Sequence, residues 1–364
     1  MNPADVKLGV VLPAGGARAA YQVGVLRYLG EQFPNTPPRI LTGLSAGSIN
    51  ACYLAQGRPF PEATQALHEL WSTLTFDDVF KTNFRSLSRM FVRWIYDLSL
   101  GKVTHQHLLR SLLDASPLAT TLLKHVHFWR ISKAIHQGTI DGLAVSATNY
   151  HDGSTTVFYE SAHDIPPWQR EKRRAVRTAI RVRHIMASCS IPLLFEPVRI
   201  GDHLYGDGSL RFSFPMSPPI HLGATHLLAV GTRCQIPVNV VPNHSTQVGL
   251  GFVAGAVLNS IFLDSVEADY ENLLRMNAME AKGIKRVPAF LIRPTRDLGA
   301  LAAAHIDELP FHFKQLLRST ASPGQLGDLM SYLMFNPPYL KELLALGYED
   351  AKGSHDQIAH LLAE

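Results

Sequence analysis

The run Arg39-Ile40-Leu41-Thr42-Gly43-Leu44-Ser45-Ala46-Gly47 constrains this chain more than any other segment. A short apolar stretch, Arg39 to Thr42, reads as a strand and leads into Gly-x-Ser-x-Gly. A helix-forming stretch, Ser48 to Gln56, follows and stops at Gly57. In such a strand-to-helix turn the serine is strained, with its hydroxyl projecting clear of the sheet. The residues two before and two after it must be small, which puts Gly43 and Gly47 where the turn needs them. A similar unit lies upstream. Lys7 to Leu12 is an apolar, β-branched run that predicts a buried strand. The Gly15-Gly16 turn follows, then a helix from Ala19 to Gln32 with Val23, Leu26, Tyr28 and Leu29 as apolar positions. The order β-α-β-α predicts an α/β fold: a mainly parallel central sheet flanked by helices.

Beyond this opening, residues 61–135 read as mostly helical. Alternation and the turn pairs Asp141-Gly142 and Asp152-Gly153 predict strands at Gly142–Thr148 and Ser154–Tyr159. The basic stretch 170–188 has helical period. Further strands are predicted at Phe195–Ile200, His226–Gly231 and Val287–Ile292, a long helix over Gln247–Ala281, and helices to Glu364. The 364 residues suffice for one large domain. Three widely spaced cysteines, Cys52, Cys189 and Cys234, fit neither a disulfide framework nor a zinc site and point to a reducing compartment. The first residues lack the pattern of a signal peptide. The longest nearly uncharged apolar stretch, Val248–Leu263, is too short and too punctuated for a membrane span. The expectation is a cytoplasmic protein that meets membranes only peripherally.

Ser45 has two readings, a nucleophile or the N-cap of the following helix. Pro13-Ala14-Gly15-Gly16-Ala17-Arg18-Ala19-Ala20 also allows several. A dinucleotide fingerprint would need glycine at positions 14 and 19, which are alanines, and a phosphate loop would need Gly-Lys-Ser/Thr. A plain structural turn remains. An oxyanion hole is the reading preferred here, because two loops that follow successive parallel strands open on the same edge of the sheet. A serine nucleophile needs a base. None of the seventeen histidines has a carboxylate partner recognisable from spacing. Asp207, between Gly206 and Gly208, is the sharper candidate, with an ordinary turn aspartate as the alternative.

Taken in order, these pieces resemble the patatin-like phospholipases. The resemblance is carried by Gly15-Gly16-Ala17-Arg18 with Tyr21-Gln22-Val23-Gly24-Val25-Leu26, by Gly43 to Gly47, and by Ala187-Ser188-Cys189-Ser190-Ile191-Pro192 leading to Asp207-Gly208. It implies a patatin-like catalytic domain over 5–235, with a mostly helical C-terminal region, 236–364, packed on the same domain. It implies Ser45 as nucleophile and Asp207 as base, without histidine. It implies an oxyanion hole from the amides of Gly15, Gly16 and Ala17, with Arg18 supporting the loop or meeting anionic substrate. The activity implied is hydrolysis of fatty-acyl esters of phospholipids or lysophospholipids through an acyl-enzyme, with no cofactor and no metal. A neutral-lipid or soluble-ester hydrolase, or a catalytically weak lipid-binding protein on the same fold, are the alternatives. Ala14, Ala19 and Ser209 depart from the family pattern.

The formal charge of +4 is uneven: Arg170 to Arg183 holds seven basic residues against Glu171 alone, leaving the rest net negative. Arg170, Arg173, Arg174, Arg177 and Arg181 fall at helical spacing, and the expectation is one cationic face for an anionic membrane surface rather than for nucleic acid. Phe84–Leu100, mixing Trp94, Phe91 and Tyr96 with Arg85, Arg89 and Arg93, is a second candidate for lipid contact or a lid. The sequence leaves the oligomeric state undefined.

Overall fold

The computed structural model describes residues 6–81, 113–192, 194–234, 264–279, 285–308 and 323–364. The Phe84–Leu100 and Val248–Leu263 segments lie outside the described residues, as does the first part of the helix expected over Gln247–Ala281.

The first unit is β1 (Leu8–Leu12), a 3-10 turn (Gly16–Arg18), α1 (Ala19–Gln32), β2 (Ile40–Leu44) and α2 (Ala46–Leu54). Every residue of β1 and β2 is buried, as a parallel strand covered on both faces requires. Four helices follow among the described residues: α3 (Phe60–Thr73), α4 (Phe76–Val79), α5 (Ser116–His125) and α6 (Phe128–His136). Then come β3 (Gly142–Asn149), β4 (Thr155–Ser161), β5 (Gln169–Arg170), β6 (Arg173–Arg177), α7 (Val182–Ser188), β7 (Val198–Ile200) and β8 (His203–Asp207). After a second 3-10 turn (Gly208–Leu210) the chain forms α8 (Ser217–His221), β9 (His226–Val230), α9 (Asp264–Ala278), β10 (Ala289–Ile292) and α10 (Leu298–Ala304). The tail is α11 (Pro323–Leu333), α12 (Pro337–Gly353) and α13 (His355–Ala363).

The strands form one sheet in the order β10-β9-β1-β2-β3-β4-β6-β5, with β8 also paired to β3 and β7 to β8. From β10 to β3 every pairing is parallel. Antiparallel pairs enter beyond β3. The fold is the mixed α/β class that the opening units predict. β3 is the strand that assembles the candidate site. On one side its Ser146 is in register with Leu44, the last residue of β2. Along that same edge, just past the end of β2, its Ala147 is in register with Asp207, the last residue of β8, while β4 occupies the opposite edge. Segments far apart in sequence therefore end side by side.

The basic stretch is a correction. Residues 169–177 form the hairpin β5–β6, not a helix, with β6 parallel to β4 from Thr155↔Arg173 to Tyr159↔Arg177. Arg, Lys, Glu and Ala favour helix, but pairing with a central strand outweighs that weak preference. Glu171-Lys172 makes the turn, with Lys172 at φ 54°. The expected cationic face dissolves, because alternate residues of a strand point to opposite sides. Arg173 stacks over Phe214, Arg174 bonds Thr156 and Tyr205, and Arg177 pairs with Asp164 at 2.5 Å. Arg170 lies in β5 and Arg181 precedes α7.

Candidate active site

Ser45 sits between β2 and α2 at φ 50° and ψ −130°. Apart from Lys172 it is the only non-glycine at positive φ among the described residues. Such a conformation costs on the order of 1–3 kcal/mol and persists only where the surroundings impose it. Here they do. The Ser45 amide donates to Ser188 Oγ at 2.8 Å, and Ser188 Oγ donates to the Ser146 carbonyl at 2.7 Å. The Ser45 carbonyl accepts from Ser48 N at 2.8 Å and Ser48 Oγ at 2.6 Å. A Cβ on Gly47 would lie 2.1 Å from the Leu12 carbonyl oxygen, and one on Gly43 2.4 Å from Ser48 Cα. The need for small residues on both sides of the serine thus has a cause in the neighbouring backbone.

Asp207 closes β8 and is wholly buried. Its amide donates to the Ser190 carbonyl at 2.8 Å, and its carbonyl accepts from Thr148 Oγ1 at 2.8 Å. Its Oδ1 accepts from the Ser209 amide at 2.9 Å and from the Ser209 hydroxyl. Its Oδ2 is buried without a hydrogen-bond partner. Burial raises this carboxyl's pKa to about 6, against the opposing pull first of Ser209 and then of the Ser45 hydroxyl. No hydrogen bond joins Ser45 to Asp207 Oδ2, and the two residues are neighbours because Leu44 and Asp207 meet consecutive residues of β3, Ser146 and Ala147. The structure brings together the two residues that the sequence singled out. Cys189 joins them: burial and the Asp207 charge push its thiol up, opposed by hydrogen bonds with Ser48 and Ser45.

The glycine turn meets the elbow from β1, since Gly47 packs on the Leu12 and Pro13 carbonyls. Gly16 has φ +54° and lies against the Tyr332 backbone, where a Cβ would meet the carbonyl oxygen at 2.2 Å. Gly16, Ser45 and Ala46 line one cavity of about 750 Å³ including its mouth. Its walls are apolar, with Leu70, Trp71, Leu122, Phe195 and Phe335 among them. Gly15 lies behind this lining, against Thr232, and Ala17 is buried. The leading amides after Gly15 and Ser45, those of Gly16, Ala17, Ala46 and Gly47, precede the first bonds of their helices, which run from Arg18 N to the Gly15 carbonyl and from Ser48 N to the Ser45 carbonyl. Ala14 and Ala19 are both free of positive φ, so neither departure strains the loop.

Arg18 is not among the residues that line the cavity and lies on one of its wall residues, Tyr332. Its guanidinium bonds Ser331 Oγ at 2.7 Å and Asp328 Oδ1 at 2.9 Å and lies 4.3 Å from the Tyr332 ring centroid. Of the two roles expected for it, loop support fits this placement. Among the histidines, His125 reaches the cavity wall, and no described hydrogen bond links it to Ser45. Among the described residues no three or more His, Cys, Asp or Glu side chains converge as a metal site would require. Sequence reasoning missed Ser188, Ser146 and Ala46. Ser188 lies inside a segment already singled out, but its contact with the Ser45 amide spans 143 residues and leaves no local signal.

The model of the family described as patatin-like phospholipase matches residues 10–220. No curated protein matches the chain. Two of the solved structures similar to this chain are VipD and a human cytosolic phospholipase A2. VipD from Legionella pneumophila is 12% identical at a TM-score of 0.39, over 99% of this chain and 67% of that one. Human GIVD cytosolic phospholipase A2, in complex with methyl γ-linolenyl fluorophosphonate, is 13% identical at a TM-score of 0.47, over 100% of this chain and 60% of that one. The chain spans about 60–67% of the length of these proteins.

Proposed function

The chain belongs to the patatin-like phospholipase family, and from that premise we propose that it hydrolyses fatty-acyl esters of phospholipids or lysophospholipids with Ser45 as nucleophile and Asp207 as base. Family membership makes it a lipid acyl hydrolase, a carboxylic ester hydrolase. The observation that carries the finer reading is the pairing of a strained, buried Ser45 with a buried carboxylate whose Oδ2 has no other partner, at the end of an apolar cavity.

The steps follow from that arrangement. The acyl chain lies in the apolar cavity and brings its ester carbonyl to Ser45. Asp207 Oδ2 takes the hydroxyl proton as Ser45 Oγ attacks. Negative charge on the carbonyl oxygen meets the Gly16 amide and the N-terminal turn of α2, where losing one donor costs on the order of a hundredfold. The tetrahedral species collapses, the alcohol leaves with the proton from Asp207, and the acyl group remains on Ser45. Asp207 then deprotonates water, which attacks the acyl-enzyme, and as this second tetrahedral species collapses Asp207 returns the proton to Ser45 Oγ and the fatty acid leaves. A carboxylate is a weak base at its ordinary pKa, and burial of Asp207 moves it towards the working range.

The test pairs two variants. Ser45→Ala is expected to lose all fluorophosphonate labelling and all hydrolysis. Asp207→Asn is expected to lose at least a hundredfold in turnover, the lower range for general-base catalysis. Near-normal turnover by Asp207→Asn overturns the dyad. A panel of phospholipid, triacylglycerol and short-chain ester substrates identifies the preferred class, with phospholipid or lysophospholipid expected to lead.

A further inference from the structure

α5 has two working faces. Leu118, Thr121, Leu122 and His125 line the Ser45 cavity. Leu123 and Lys124 are exposed on the other side, Leu123 by 57%. Val126 and His127 alone separate α5 from α6, where Trp129 is 61% exposed. Trp129, Arg130 and Lys133 line one polar groove with Gln56 and Gln137, and the Arg130 guanidinium lies 5.7 Å from the Trp129 ring centroid. From Ala115 to Ile140 the sequence contains no aspartate or glutamate. Lys124, Arg130 and Lys133 make no ion pair among the described residues. Asp78, whose charge is felt at His125, is held in the cap of α4 by the Thr75 amide and hydroxyl.

We propose that the α5–α6 corner is a membrane-docking surface, with Trp129 and Leu123 entering the interface and Lys124, Arg130 and Lys133 meeting the phosphates of anionic lipid. Tryptophan is enriched at the boundary between headgroups and acyl chains because its ring is apolar and its N–H is polar. Each basic side chain near an anionic surface adds about 1 kcal/mol. The charge pattern separates this corner from another exposed apolar patch, on and just after α9. There Leu274 and Met276 are exposed, with Met279 just beyond the helix, but apart from the buried Asp269 the helix carries Asp264, Glu267 and Glu271 against Arg275. An anionic surface repels that helix and attracts the α5–α6 corner. The location has a functional consequence, which rests on the acyl-hydrolase reading of Ser45. The helix that touches lipid also walls the cavity, so docking presents the cavity to the surface from which substrate comes.

The experiment uses the full-length chain carrying Ser45→Ala, so that vesicles persist, in flotation with phosphatidylcholine vesicles and with vesicles mixing phosphatidylcholine and phosphatidylglycerol. The starting protein is expected to float with the mixed vesicles and far less with the neutral ones. Adding Lys124→Glu and Lys133→Glu is expected to weaken that binding roughly tenfold or more. Trp129→Ser is expected to weaken binding to the mixed vesicles as well. With Ser45 restored, the same substitutions are expected to leave hydrolysis of a short soluble ester unchanged, which shows that the fold and the cavity are intact. Flotation indifferent to the charge reversals, or equal on both vesicle types, overturns the docking surface whatever the esterase result. Failure of the Ser45 reading shows separately, as soluble-ester hydrolysis that survives Ser45→Ala.

Discussion

A carboxylate with no exposed surface titrates according to its donors as well as its burial, and Asp207 receives two from one neighbour. The Ser209 amide and hydroxyl both bind Oδ1, which fixes the carboxyl plane and leaves Oδ2 without a hydrogen-bond partner, as the proposed role of base requires. Burial raises the pKa to about 6, and Ser209 is the first of the opposing influences. Only the ionised form can accept the Ser45 proton, so activity should rise with pH through about 6. Removing the Ser209 hydroxyl takes away a donor to the ionised form. The pKa then rises, and the acid limb moves to higher pH. The prediction is that Ser209→Ala shifts the acid limb of kcat/KM for a soluble ester upward, with Ser209→Thr keeping it near the original position. A limb that stays put in Ser209→Ala would show that the hydroxyl is merely structural. Ser209 stood out in the sequence only as a departure from the family pattern, and its two bonds explain what the departure supplies. The elbow at Gly43, Ser45 and Gly47 was legible because a strained turn demands small residues at those local spacings, whereas Asp207 stands out from an ordinary turn aspartate chiefly by the family resemblance. Ser188 and Ser146 were not legible, because they act on Ser45 across the sheet.

Among the elements, α1 and α12 show how close packing hides from periodicity. The predicted apolar positions of α1 were Val23, Leu26, Tyr28 and Leu29, yet the helix is buried at nearly every position from Ala19 to Gly30. Part of the reason is Gly24, which lies against the Leu344 carbonyl, and Gly347, which lies against the Tyr21 carbonyl. Each glycine lets the other helix approach to backbone contact. Buried Gln22 adds a polar link, donating to the Pro13 carbonyl at 2.8 Å and accepting from Asn50 at 3.1 Å. No hydrophobic pattern records such a partner. The reverse error occurred at 170–177, where helical spacing of arginines was incidental and pairing with β4 decided the structure, while Val182–Ser188 of the same stretch is helical as expected. The helix contact gives a matched pair of predictions. A Cβ at Gly347 would sit 2.1 Å from backbone, whereas one at Gly353, in the same helix, meets nothing within 4 Å. Gly347→Ala should destabilise the protein by roughly 1–3 kcal/mol through overpacking. Gly353→Ala should leave the thermal midpoint unchanged or raise it slightly, since alanine is the better helix former. Equal midpoints for the two variants would contradict the close approach.

For the molecule as a whole, the question is whether the catalytic fold ends where the family match ends, near residue 220. Two connections argue that it does not. Arg18, inside the glycine turn that flanks Ser45, places its guanidinium on Ser331, Asp328 and Tyr332 of α11. Tyr332 and Leu333 also wall the cavity, so the C-terminal region supplies part of the proposed acyl site. Farther on, α12 buries Tyr339, Leu340, Leu343 and Leu344 almost completely. Each such side chain contributes on the order of 1.5–3 kcal/mol when buried. Four of them together approach the whole net stability of an ordinary domain, roughly 5–15 kcal/mol. Removing residues 337–364 would also uncover the face of α1 that those side chains cover. The prediction is that a chain ending at Asn336 loses its cooperative thermal transition and its fluorophosphonate labelling together. A truncated chain that still melts cooperatively and still labels at Ser45 would mean that α12 and α13 are an appendage. The sequence hinted at helices here but could not say what they cover, because the covered surface is a helix more than three hundred residues earlier in the chain. If α1 needs α12, then the glycine turn at the start of α1 depends on the C-terminus, and the geometry around Ser45 is a property of the full chain.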